Sequence, residues 1–155
     1  MVDFLVIGPM SSLTYNSVFE LIKDGDVGFG WNRVGDFDNN NNSVKCRWFS
    51  NISDYYPPKL VLSKRYDDGY KKFDNYDAIN IDRIKDIPGD YMGLMGVPIT
   101  FIDSYNKRQF DIVGFLNNGC RLDENGLQGN NGIQMTLVGG VCKYFRILIK
   151  KKISE

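Results

Sequence analysis

The sequence predicts an α/β fold with more strand than helix, and three observations near its start carry that expectation. Val2-Asp3-Phe4-Leu5-Val6-Ile7 is nearly continuous apolar, the pattern of a strand buried on both faces. Val18, Phe19, Leu21 and Ile22 repeat at helical spacing behind it. Val27-Gly28-Phe29-Gly30-Trp31 reads as a second short strand. Residues 1–31 are therefore expected to form a strand–helix–strand unit with a short crossover.

The elements follow in order. Gly8-Pro9 ends the first strand. Thr14 is predicted as the helix N-cap, with Leu13 and Val18 placed as a hydrophobic staple. Gly25 is predicted to close the helix in the left-handed conformation. Asp36 to Ser43, with four consecutive asparagines, reads as a polar loop. Val44 to Ile52 alternates, putting Val44, Cys46 and Trp48 on one face and Lys45 and Arg47 on the other. Pro57-Pro58 breaks the chain, and Lys59–Leu62 is a short strand. Residues 63–77 are polar and aromatic, and Ala78–Ile81 is a brief apolar piece. Arg83–Asp86 is predicted as one helical turn before Pro88. Gly96–Ile102 is predicted as a strand whose internal Pro98 marks an edge or a bulge. Phe110–Phe115 is a further strand, and residues 116–132 are a Gly/Asn-rich loop. Ile133–Val138 and Lys143–Lys150 are the last strands, with Gly139-Gly140 between them as a hairpin signal.

Composition excludes several chemistries. The 155 residues, of formal net charge zero, fit one domain and include no histidine. Ser-His-Asp and Cys-His nucleophile pairs are therefore absent, as is any zinc site with a histidine ligand. Cys46, Cys120 and Cys142 are far apart with no C-x-x-C spacing, which excludes a zinc ribbon. Three free thiols in a reducing cytoplasm are expected. No apolar run approaches the ~18 residues of a membrane span, and no basic segment precedes an apolar one at the start. A cytoplasmic location without a membrane partner is the expectation.

The zero net charge is unevenly spread. It is −4 over residues 1–42, +4 over 43–73, −3 over 74–111 and +3 over 112–155. Dedicated nucleic-acid modules usually carry a stronger basic excess, yet the 43–73 stretch suits phosphates in a larger protein. Val27-Gly28-Phe29-Gly30 lacks the third glycine and following helix of a dinucleotide turn. Tyr66 to Tyr76 interleaves basic and aromatic residues, as single-strand or flipped-base surfaces do and as ordinary polar loops also do. The acidic residues from Asp74 to Asp90 do not match a calcium loop, so they are read as solvated and no metal site is expected.

Several blocks together resemble one family. They are Phe4-Leu5-Val6-Ile7-Gly8-Pro9-Met10 with Leu13-Thr14-Tyr15, Phe19-Glu20-Leu21-Ile22 and Val27-Gly28-Phe29-Gly30, then Trp48-Phe49-Ser50-Asn51-Ile52. The most specific is Tyr76-Asp77-Ala78-Ile79-Asn80-Ile81 through Lys85-Asp86-Ile87-Pro88 and Asp90-Tyr91-Met92-Gly93-Leu94-Met95-Gly96-Val97-Pro98-Ile99-Thr100-Phe101. Tyr105-Asn106, Gln109-Phe110 and Arg146-Ile147-Leu148-Ile149-Lys150 complete the series. In that order they resemble the C-terminal part of the EcoRI-type adenine-specific DNA methyltransferases.

The resemblance implies transfer of a methyl group from S-adenosylmethionine to N6 of adenine in duplex DNA. Such enzymes flip the adenine and hold it at an Asn-Pro-Pro-Phe motif. That motif and the cofactor's glycine-rich strand lie upstream of the block that begins here at Phe4. Neither occurs in these residues: Tyr56-Pro57-Pro58-Lys59 lacks both the polar acceptor and the stacking ring. No catalytic or cofactor-binding residue is carried over, and S-adenosylmethionine is expected to bind the full-length family but not this chain alone.

The resemblance thus implies the distal half of a Rossmann-like S-adenosylmethionine methyltransferase sheet with a strand-rich insertion, one partial domain over 1–155. Residues 1–31 belong to the sheet, 32–142 form the DNA-facing insertion, and 143–155 return as a terminal strand antiparallel to its neighbour. Arg47, Lys71, Lys72 and Arg108 are chosen as phosphate contacts, and Tyr76 and Asn80 as base or base-adjacent contacts. The partners expected are duplex DNA, and a missing N-terminal half or a chain supplying it. A homodimer through the open edge at residues 2–7 is the other way to cover that edge. A stand-alone DNA-binding module and an inactive remnant are the alternatives.

Overall fold

The computed structural model describes residues 2–39, 42–52, 57–116, 121–123, 126–128, 136–143 and 145–153. The chain divides into two units, Met1–Pro58 and Lys59–Glu155. It is mixed α/β, with multi-stranded sheets.

The first unit holds strand β1 (Leu5–Pro9), a 3-10 turn (Met10–Thr14), helix α1 (Asn16–Asp24) and strands β2 (Gly28–Asn39) and β3 (Asn42–Ser50). The helix begins two residues after Thr14, because the tighter turn occupies the expected first turn. It ends as predicted on Gly25, whose φ of 82° lets its N–H reach the Ile22 and Leu21 carbonyls. Leu13, Phe19, Ile22 and Val27 are buried, whereas Leu21 from the same stripe is exposed.

The sheet order is β1-β3-β2, with β3 antiparallel to both neighbours. Three expectations change here. β1 is an edge strand and is not buried on both faces: Leu5, Val6 and Ile7 are 56%, 49% and 43% exposed. Among the described residues its apolar run pairs only with β3, on one side. The polar loop expected over 36–43 is largely strand, since β2 runs to Asn39 and β3 starts at Asn42. Backbone pairing forms the ladder, so asparagine side chains do not prevent it. The boundary expected at residue 31 falls inside β2.

The second unit is built on a four-stranded sheet of order β4-β5-β11-β6: β4 (Ile79–Asn80), β5 (Met95–Pro98), β11 (Arg146–Lys151) and β6 (Phe110–Leu116). β4 and β5 are parallel, and β11 is antiparallel to both β5 and β6. The terminal strand therefore returns to this sheet, not to β1–β3. Two hairpins are also present among the described residues, β7 (Arg121–Asp123) with β8 (Gly126–Gln128) and β9 (Leu137–Val138) with β10 (Val141–Cys142).

β11 is buried on both faces, as a central strand must be. Ile147 and Ile149 alternate with Leu148, and none exceeds 3% exposure. Leu148 joins Phe73, Ala78, Leu116 and Val138 in one cluster. Leu148 pairs with Gly96, where a Cβ would meet the Phe73 ring at 2.5 Å. A side chain is excluded there by that ring, which explains a glycine inside a core strand.

Three further local expectations are corrected. Lys59–Leu62 forms no strand; the Gln109 side-chain amide satisfies both the Leu60 N–H and carbonyl, at 2.7 and 2.8 Å. The strand expected over 96–102 stops at Pro98, and Ile99–Ser104 is a 3-10 turn, because Pro98 cannot extend a ladder. Cys46 is free, but Cys142 is in a disulfide, so three free thiols is incorrect. Wide spacing in sequence does not exclude proximity in space. The start of the strand expected over 133–138 lies outside the described residues. The helical turn before Pro88 is present as Ile84–Asp86.

The β9–β10 turn has φ of 58° at Gly139 and 72° at Gly140, the two positive values a type I′ hairpin requires. The Asp74 carboxylate accepts both glycine N–H groups, at 2.8 and 2.7 Å. These bonds hold its pKa below the usual carboxylate value. A carboxyl depressed on folding adds stability above its unfolded pKa of about 3.9 and loses it as pH falls through the lower folded value. Asp74→Ala is expected to accelerate amide exchange at Gly139 and Gly140 at neutral pH, with the difference vanishing in acid.

Candidate nucleic-acid interface

A cleft of about 390 Å³ opens in the second unit, lined by residues of the 64–71 loop and of 80–86. Its back wall stands at the end of β4, where Asn80 and Asp82 flank buried Ile81. Alternation along an extended chain puts Asn80 and Asp82 on the same side. The start of β11 lies at that end of the sheet, because Arg146 is opposite Pro98, the last residue of β5.

These residues form one hydrogen-bonded unit. Arg146, 8% exposed, donates from Nε to Asn80 Oδ1 at 3.2 Å and from Nη2 to Asp82 Oδ1 at 3.1 Å. Its Nη1 reaches the Phe145 carbonyl at 3.4 Å. Asn80 Nδ2 donates to the same Asp82 oxygen at 3.0 Å, and Lys143 Nζ stands 3.8 Å from it. The Asn80 bond, followed by the Lys143 and Arg146 charges, outweighs partial burial and lowers the Asp82 pKa. A buried guanidinium is thus satisfied, and a carboxylate is held ionised in one orientation.

The rim carries both signs. Asp86 is paired with Lys64 at 3.2 Å and Arg83 at 3.4 Å. Asp67 accepts the Gly69 N–H at 2.8 Å. Lys71 is exposed and has no ion pair among the described residues. Tyr66 stacks between Tyr91 and Tyr70, at centroid distances of 4.6 and 5.7 Å. The Tyr70 hydroxyl donates to the Asp86 carbonyl at 2.8 Å. Burial raises the Tyr70 and Tyr91 pKa values, so both phenols stay protonated at neutral pH.

The residues chosen from sequence separate into three groups. Lys71 and Asn80 line the cleft together. Lys72 and Arg108 are exposed outside its lining; Lys72 stands 3.7 Å from Asp77, and Arg108 follows a turn in which its N–H bonds to Asn106 Oδ1 at 2.9 Å. Arg47 and Tyr76 are placed differently from expectation. Arg47 is 4% exposed, with Nε 3.5 Å from Met10 Sδ, because its face of β3 also carries buried Phe49 and is the inner one. Tyr76 is half-buried against the Leu148 cluster, so its ring serves packing. The sequence reading missed Asp82 and Arg146. The Asn80-x-Asp82 spacing at a strand end was a usable signal for the first. Arg146 stood at the head of an apolar strand, and nothing local announced its partners.

Among the described residues, no group of three or more metal-ligating side chains is present, and no helix is long and apolar enough to cross a membrane. The fold is mixed α/β, and the Asn80–Asp82–Arg146 hydrogen-bonded unit stands at its cleft. Residues 32–152 match the adenine-specific methyltransferase EcoRI family, and the chain belongs to that family. It is 35% identical over 175 residues to the type II methyltransferase M.EcoRI of Escherichia coli, covering 96% of this chain and 50% of that one. It is 33% identical over 181 residues to M.MgeORF184P of Mycoplasma genitalium, covering 97% and 57%. Against M.MpnI of Mycoplasma pneumoniae the identity is 29%, with the same coverage. The chain therefore spans about half the length of these relatives. No solved structure matches it.

Proposed function

We propose that the chain is the C-terminal segment of a site-specific DNA adenine-N6 methyltransferase of restriction–modification type. It contributes sheet completion and DNA contacts, and it does not catalyse alone. The observation that carries this reading is the match to M.EcoRI, which takes in nearly all of this chain and only half of the relative. In the full-length protein S-adenosylmethionine supplies the methyl group. The glycine-rich strand and Asn-Pro-Pro-aromatic motif that would hold cofactor and adenine are not among these residues.

β1 supports the sheet-completion role. Leu5, Val6 and Ile7 are apolar on both faces yet open, and among the described residues the strand pairs only with β3. Such an edge favours another strand and a covering layer. The upstream half, as the distal half of a Rossmann-like sheet requires, is the occupant proposed. Lys71, Lys72 and Arg108 are the phosphate contacts of this reading, since each is exposed.

Calorimetric titration with S-adenosylmethionine tests the division of labour. The chain alone is expected to give no binding heat and to transfer no labelled methyl group to duplex DNA. Micromolar binding would place a cofactor site within these residues and overturn the reading. Sedimentation separates a homodimer from a chain whose edge awaits another polypeptide: a concentration-independent monomer is expected.

A further inference from the structure

We propose that Asp82 is a specificity-determining residue, whose outer carboxylate oxygen accepts a hydrogen bond from an exocyclic amino group on the major-groove edge of a base. The proposal rests on the reading that this chain contacts duplex DNA. Its geometry is that of an acceptor prepared in advance. Oδ1 takes Asn80 Nδ2 at 3.0 Å and Arg146 Nη2 at 3.1 Å, with Lys143 Nζ 3.8 Å away. Oδ2 has no partner among the described residues. The side chain is 60% exposed and lines the cleft beside Lys71. One oxygen is thus fixed by the protein, and the other is presented to a donor at little further cost in side-chain freedom.

The chemistry of the donor follows from the surroundings. A metal ion is disfavoured, because Arg146 and Lys143 already flank the carboxylate and the described residues hold no cluster of further ligands. In the major groove the amino donors are cytosine N4 and adenine N6, and an aspartate accepts from them. A carboxylate near phosphates would normally be repelled. Here two cations offset its charge, and Lys71 is available to a flanking phosphate. Asn80 and Arg146 act through Asp82 and are positioning residues.

Selection of duplexes from a randomised pool by the full chain tests this. The wild type is expected to prefer an amino-bearing base about tenfold at one position. Asp82→Ala is expected to reduce that preference below about twofold, with affinity for unrelated duplex unchanged or raised. On the wild-type protein, 2-pyrimidinone for cytosine and purine for adenine remove the amino group alone. About tenfold weaker binding with one analogue identifies the base, and these arms decide the matter if the variant does not fold. Retained preference in folded Asp82→Ala, or parental affinity with both analogues, overturns the proposal. Duplex binding without base preference overturns it while leaving the DNA reading intact; no duplex binding overturns both.

Discussion

Replacing Phe101 with alanine is expected to lower the unfolding free energy by about 4 kcal/mol. Phe101 is fully buried in the turn Ile99–Ser104. Its ring meets Phe110 edge-to-face at 5.3 Å and 86°, and Tyr105 at 6.2 Å. Truncation removes both aromatic contacts and leaves a buried void. The turn is short, and β5 and β6 on either side of it are pinned by pairing with β11, so collapse into the void is limited. Urea unfolding followed by circular dichroism reads the change as a lower midpoint at similar slope. Phe101→Leu is expected to lose roughly half as much, since it refills part of the volume.

Arg146→Met is expected to cost about 3 kcal/mol by the same measurement. Methionine replaces much of the volume but none of the donors. Asn80 Oδ1, in a residue 7% exposed, and the Phe145 carbonyl lose a charged donor together. Asp82 is more open and regains water, which keeps the loss at the lower end of the range for a broken buried pair. Arg146→Lys is expected to recover only part of the loss, because one ammonium cannot span Asn80 and Asp82 with a planar fork. If Asp82 reads a base, folded Arg146→Met also loses base preference while keeping salt-dependent affinity.

Patterns that depend on neighbours in sequence were legible. The helix stop at Gly25, the turn before Pro88, strand Phe110–Leu116 and the Gly139-Gly140 turn all follow from local chemistry, but the hairpin joins Leu137–Val138 to Val141–Cys142, and the terminal strand expected as its second arm pairs with β5 and β6 instead. Features that depend on the partner were not. An apolar run at β1 looks the same whether its second neighbour is present or absent. Alternation along β3 correctly placed Arg47 and Cys46 on opposite faces, but which face is inner is decided by residues elsewhere. The Asn80–Asp82–Arg146 unit joins positions 66 and 64 residues apart, beyond the reach of any window. Asn80 was selected by type and position, and the reason it matters lies in Arg146.

Fluorescence anisotropy of labelled duplex DNA, titrated with the full chain across a salt series, decides whether this chain contacts DNA. Binding is expected at low salt and weakens linearly in log–log form as salt rises, with the slope reduced by about one for each of Lys71→Ala and Lys72→Ala. Absence of binding at 50 mM salt, or affinity that does not change with salt, would contradict it.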